Sequence, residues 1–151
     1  METIKDTIEI KAMPEKIFDG LIKVFSSQKY FKKWHKEHVK CQWLKGKPFE
    51  EGSILYVEEY LHGELHKMKF LSTRLEPNRI IEYRLLFPMS IICPKGSFIV
   101  ESKGKKSIFT ATLTFRFGWF LKKVAKKNVE GMKNHMREEG ENLKKIIENN
   151  L

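Results

Sequence analysis

At 151 residues the chain has length for one domain with a real core and is cramped for two. A hydrophobic content of 41%, with eleven Phe, excludes disorder over most of it, and no apolar run approaches the ~20 residues that span a bilayer. The formal charge of +10 is spread along the chain, with small clusters at Lys32-Lys33, Lys103 to Lys106 and Lys122 to Lys127, as on a solvated surface without a dedicated anionic partner.

Residues 3–12 alternate, with Ile4, Ile8 and Ile10 on one face and Lys5, Glu9 and Lys11 on the other, which predicts a half-buried strand. Pro14 suits a first helical turn, and Ile17, Phe18 and Leu21 give the following short helix its buried side. A second short helix is expected over 26–35. Strands follow. In 39–45, Val39, Cys41 and Trp43 share a face. Residues 53–62 and 64–75 form a hairpin about Gly63, and Glu76-Pro77-Asn78 marks the next turn. Residues 79–87 carry Ile81, Tyr83, Leu85 and Phe87 on one face. A last hairpin, 96–102 and 107–117, turns at Gly104, with Phe109, Ala111, Leu113, Phe115 and Phe117 inward and Thr110, Thr112, Thr114 and Arg116 outward. From Phe120 to Asn149, apolar residues recur at three- and four-residue steps through Leu121, Val124, Val129, Met132, Met136, Leu143 and Ile147, a long amphipathic helix.

The order is strand, two short helices, six strands, long helix, in one domain over 1–151. The fold class is α+β: a curved antiparallel sheet of seven strands wrapped on the C-terminal helix, whose apolar stripe has only the concave sheet face as a partner. Such an arrangement leaves sheltered space where ligands bind.

Ile8-Glu9-Ile10-Lys11-Ala12-Met13-Pro14-Glu15-Lys16-Ile17-Phe18, Trp34 after the second helix, Leu75-Glu76-Pro77-Asn78-Arg79 before a strand, and the closing run Met136-Arg137-Glu138-Glu139-Gly140-Glu141-Asn142-Leu143 follow one another in an order that resembles the helix-grip family known as SRPBCC or START-like proteins, which includes the plant pollen-allergen group and bacterial polyketide cyclase relatives. The resemblance covers nearly the whole chain. It implies binding of lipids, sterols, polyketides, plant hormones or other apolar molecules. Enzymes are a minority of the family and share no catalytic motif, so the likeness speaks to fold more than to function.

Four of the five histidines fall in Trp34-His35-Lys36-Glu37-His38 and His62-Gly63-Glu64-Leu65-His66. Strand pairing places Glu59 and His66 on the same face as Leu55, Val57, Met68 and Phe70. A buried carboxylate is costly unless paired, and an imidazolium would pair it. His35 and His38 could reach the same end. One reading is a ligand-anchoring or acid–base cluster of His35, His38, Glu59 and His66, with Glu59 and His66 as the catalytic candidates. The other is a structural hydrogen-bond pair with two surface histidines. A metal version of the cluster is a third reading, since His and Glu suit zinc, but the spacing is unlike HExxH, so no metal or other cofactor is expected. On the long helix Glu139, flanked by His135, interrupts the apolar stripe, either as an acceptor for a ligand hydroxyl or for Arg84, or as a helix-edge group in water. Gly140 would permit a close approach.

Residues 85–94 are apolar for a connecting segment and read as a pocket rim, a lid, a patch meeting a partner or a membrane transiently, or a loop folded onto the core. Trp119 and Phe120 could close the same mouth. Cys41 and Cys93 stand in no CxxC spacing and read as small buried apolar residues in a reducing interior; the opening Met1 to Asp6 lacks a signal pattern, and a cytoplasmic location is expected. No RNP, GxxG, Walker, dinucleotide-binding or GxSxG pattern occurs, which argues against a specific nucleic-acid partner. The expected function is binding or carriage of a small hydrophobic ligand in a cavity walled by Trp43, Leu55, Val57, Phe70, Tyr83, Leu85, Phe98, Phe109, Leu113, Phe115, Met132 and Met136, with Glu139 and the His/Glu cluster setting orientation. The alternatives are a cyclase- or hydrolase-like enzyme in that cavity and an interaction module using the basic surface.

Overall fold

The computed structural model describes residues 1–61, 63–116 and 119–149, and for 119–128 the backbone alone. Seven strands form one antiparallel sheet: β1 (Glu2–Ile10), β2 (His38–Lys45), β3 (Ile54–Leu61), β4 (Glu64–Glu76), β5 (Ile80–Leu85), β6 (Lys95–Lys103) and β7 (Lys106–Phe115). Their spatial order is β1-β7-β6-β5-β4-β3-β2. The first and second strands are therefore opposite edges, and the two helices between them, α1 (Pro14–Ser26) and α2 (Gln28–Trp34), carry the chain across the concave side. The last helix, α3 (Trp119–Glu148), packs on β1 and also meets α1, α2 and β7.

These elements follow from local chemistry. Pro14 opens α1 where its missing N–H costs nothing, and the buried side of α1 is Ile17, Phe18, Leu21, Val24 and Phe25. The β6–β7 turn needs Gly104, whose φ is +63°. In α3, Gly140 sits against β1: a Cβ there would lie 3.2 Å from Asp6 Oδ2 and 3.5 Å from Ile8 Cγ2. Its place in the helix interior, at a helix-propensity cost of about 1 kcal/mol, answers to the sheet.

The strand boundaries match the alternation in the sequence to within one or two residues, with a 3-10 turn at Met89–Ile91 inside the 85–94 segment. Phe117 lies outside the described residues, as do the side chains of Leu121, Val124, Trp119 and Phe120.

Candidate functional site

Between sheet and helices lies a cavity of about 110 Å³. Apolar cavities of roughly 150 Å³ accept a benzene-sized guest, so this one suits a single small ring or a short chain. Of the expected walls, Trp43, Leu55, Val57, Phe70, Tyr83, Leu85, Phe98, Leu113, Phe115 and Met132 face it. Two do not. Phe109 stacks behind Phe98, ring centroids 5.7 Å apart, and Met136 is buried elsewhere along α3. Residues not anticipated as walls are Phe25, Phe31, Phe49, Leu61, Met68, Met89 and Cys93. Phe25 closes the helix side, its ring 5.0 Å from Trp34, 5.2 Å from Phe49 and 6.0 Å from Phe98. Phe49 belongs to a loop, where strand periodicity says nothing about its direction.

The 85–94 segment divides its residues. Met89 and Cys93 line the cavity, while Phe87, Ile91 and Ile92 are exposed at 78%, 60% and 47%. It is thus a cavity rim with an apolar outer face. The buried Cys93 thiol is pushed up to about 12 by burial, and that of Cys41 to about 11.

One end of the cavity is charged. A register shift between His38 and Lys40 makes β2 irregular, so that buried His38 shares the inner side with Cys41 and Trp43 instead of alternating outward. Its Nδ1–H donates to the Phe31 carbonyl at 3.0 Å, and its Nε2 lies 2.9 Å from Glu139 Oε2 and 3.4 Å from Glu59 Oε2. From α3, His135 brings its Nε2 to 3.4 Å from Glu139 Oε1 and 3.8 Å from Glu59 Oε2, and its Nδ1 to 3.5 Å from Glu37 Oε1. Neither ring nitrogen of His135 completes a hydrogen bond to the described residues, although the residue is only 5% exposed. Glu139 is held from behind: the Trp34 indole donates to its carbonyl at 2.9 Å, and the Asn142 amide donates to the Trp34 carbonyl at 2.8 Å. Its carboxylate, like that of Glu59, faces the cavity.

Charge and burial oppose each other here. Burial alone would raise the Glu139 carboxyl, but the His135 and His38 charges outweigh it and hold the group well below the usual range. Glu59 goes the other way, raised chiefly by burial, with the Glu139 charge adding to it against His38 and His135. Burial also disfavours protons on His38 and His135. The adjoining carboxylates prevail, led by Glu139, so His38 is raised and His135 is raised to about 10. His35 is lowered, first by burial and then by the His135 charge. That agrees with its bonding: the Glu37 N–H donates to Nδ1 at 3.0 Å, which leaves Nε2–H to donate to Glu138 at 2.8 Å, a neutral ring.

The anticipated residues thus separate. Glu59 and Glu139 face the cavity and meet at His38 behind it, His35 stands one layer further back, and His66 remains apart. It is paired in register with Glu59 across β3 and β4 and is half-buried, yet the cationic partners of Glu59 are His38 and His135. The expectation that Arg84 could meet Glu139 is corrected. Arg84 is exposed on the convex face, because its neighbours Tyr83 and Leu85 take the inward positions of β5. His135, read from the sequence only as a flank to Glu139, is central, and its i, i+4 spacing from Glu139 was the available signal.

A seven-stranded sheet curved about a terminal helix with a lined cavity between them defines a helix-grip protein. More particularly, the chain belongs to the family described as polyketide cyclase / dehydrase and lipid transport, which matches residues 1–148. Its fold is similar to that of truncated norcoclaurine synthase from Thalictrum flavum (TM-score 0.75, 11% identity, covering 97% of this chain and 92% of that one). It is also similar to a protein from Thermus thermophilus (0.73, 12%, 97% of each) and to the ZhuI aromatase/cyclase from Streptomyces sp. R1128 (0.63, 15%, 96% and 95%). No curated protein matches the chain by sequence. Among the described residues no helix is long and apolar enough to cross a membrane.

Proposed function

We propose that this protein binds a small, mostly apolar molecule bearing a hydrogen-bond donor, with its apolar body among the aromatic walls and its donor against Glu59 and Glu139. The observation that carries this reading is the asymmetry of the cavity: its lining is apolar apart from Ser72, the Tyr83 hydroxyl, the Cys93 thiol and those two carboxylates, which sit together at one end. Burial of the ligand's apolar area, at about 25 cal/mol per Å² before the costs of association, supplies affinity. A donor to an ionised carboxylate contributes about 1.5–3 kcal/mol and sets orientation.

The test is a calorimetric titration, in chelator, of phenol against toluene, two single-ring probes of nearly equal shape. The phenol should bind at least tenfold more tightly to the natural protein, and Glu139→Gln should erase most of the preference. Equal affinities in the natural protein would sink the reading.

A second reading, acid–base turnover in the same cavity, is favoured by the geometry of two carboxyls that share one imidazole nitrogen, Glu139 at 2.9 Å and Glu59 at 3.4 Å from His38 Nε2, with proton affinities pushed in opposite directions. Glu59 would move the proton and Glu139 would remain the fixed charge. In this reading His66 has no part. Retained ligand binding with abolished turnover in Glu59→Gln is its expected signature.

A further inference from the structure

We propose that His38, His135, Glu59 and Glu139 form a binding site for a divalent first-row transition metal ion, with zinc the best match. The site is the charged end of the cavity, but the inference does not depend on the ligand reading above.

The donor atoms come first. Each residue offers one ligand atom, and all four lie within 4.8 Å of one another. Tetrahedral zinc with bonds of 2.0–2.1 Å to imidazole nitrogen and carboxylate oxygen separates its ligand atoms by about 3.3 Å. From the two Nε2 atoms the nearest carboxylate oxygens lie 2.9 to 3.8 Å away, near that edge length: Glu59 offers the same Oε2 to both rings, while Glu139 turns Oε2 toward His38 and Oε1 toward His135. Two nitrogens and two carboxylate oxygens suit zinc and its neighbours. Calcium and magnesium ask for six or more oxygens, or for water-rich octahedra.

The alternative is a self-contained ion-pair network of two imidazoliums and two carboxylates. Such pairs, when desolvated, close to about 2.7–2.9 Å. Only His38–Glu139 does so. His135, with 4% of its side chain exposed, approaches three carboxylates no closer than 3.4 Å, and neither ring nitrogen makes a well-aligned hydrogen bond to the described residues. A buried imidazole left unbonded is expensive, and an ion at Nε2 would satisfy it.

The surroundings have the form that metal-binding imidazoles need. A ligating ring is fixed by what its other nitrogen meets. His38 gives Nδ1–H to the Phe31 carbonyl, which leaves Nε2 inward, and His135 has Nδ1 toward Glu37 at 3.5 Å. His35 also lies within reach of both rings, but both its nitrogens are engaged, with the Glu37 N–H and with Glu138, so it is left out of the ligand set. On binding, the ion takes the place of the protons on the two Nε2 atoms. Two carboxylates then neutralise its double charge.

The experiment uses the full chain, stripped with EDTA, and Co²⁺ as the probe. Expected is one Co²⁺ per chain, the strong visible absorption of a tetrahedral ion, its displacement by Zn²⁺, and a rise in the thermal midpoint with one equivalent of Zn²⁺. Glu139→Gln and His135→Ala should each weaken Zn²⁺ at least about 100-fold with the circular dichroism unchanged, while His66→Ala leaves affinity as it was. Should His135→Ala lose its fold, Glu139→Gln and Glu59→Gln answer the same question. The inference is overturned if the chain draws no tetrahedral Co²⁺ spectrum, or if the ion binds as well after Glu139→Gln. Zinc binding without the phenol preference sinks the ligand reading alone; the reverse result sinks this one alone.

Discussion

The two ends of the cavity are built on different terms. At the apolar end, Phe25, Phe49, Trp43 and Phe98 meet ring against ring, and the ionisable groups among the walls there, Cys93 and Tyr83, are kept neutral by burial. At the charged end, Glu139, half-buried against the same cavity, stays ionised because His38 and His135 stand beside it. Withdrawal from water therefore silences one group while the other stays charged, and a neighbour of opposite sign is what holds that charge. The apolar end tolerates any oily partner of the right volume. The charged end requires particular residues at particular separations.

The contrast can be broken at several points. The largest effect is expected at Cys93. Its thiol, raised from 9 to about 12, should alkylate with iodoacetamide at pH 8 about a thousandfold more slowly in the folded protein than in urea, since only the thiolate reacts. Mass mapping of the modified peptide checks it, and equal rates would mean that the rim opens freely. Next comes Phe25→Ala, which removes the ring joining α1 to the cavity walls. It should cost about 3–5 kcal/mol in urea unfolding, and a loss under about 1 kcal/mol would show the aromatic end to be loosely packed.

The charged end should be sharper and more selective. Glu139→Gln leaves two buried imidazoles short of their counter-charge and should destabilise the chelator-treated protein by about 1–3 kcal/mol. Glu59→Gln, by contrast, replaces a carboxyl already inclined to hold its proton and should stay within about 1 kcal/mol. Equal losses from the two would contradict the opposite directions assigned to them. The smallest effect belongs to His66→Ala, within about 0.5 kcal/mol. A large loss there would restore His66 as the working partner of Glu59.

Much of the apolar end was legible in the chain. Period-two runs such as Phe109-Ala111-Leu113-Phe115 and Leu55-Val57-Glu59-Leu61 sort inward from outward, and Glu59 faces inward with Val57 and Leu61. Alternation cannot rank depth, however. Phe109 and Leu113 lie on the same face, yet only Leu113 reaches the cavity, since Phe98 covers Phe109. At the charged end the sequence suggested His66 for Glu59 because the two are neighbours across a hairpin. The actual partners arrive from an irregular stretch of β2 and from a helix some 76 residues further along than Glu59 (135 − 59).

The sequence by itself determined the order of elements, the sidedness of the regular strands and helices, and membership of the helix-grip class, because side-chain direction within a regular element depends only on local backbone period. Only the tertiary structure decided which charged groups share one enclosure. The hydrogen bonds that seat α3 against α2, Trp34 to Glu139 and Asn142 to Trp34, join residues more than a hundred positions apart. The fate of a buried charge depends on distances of a few ångström across such contacts, and no pattern along the chain encodes them.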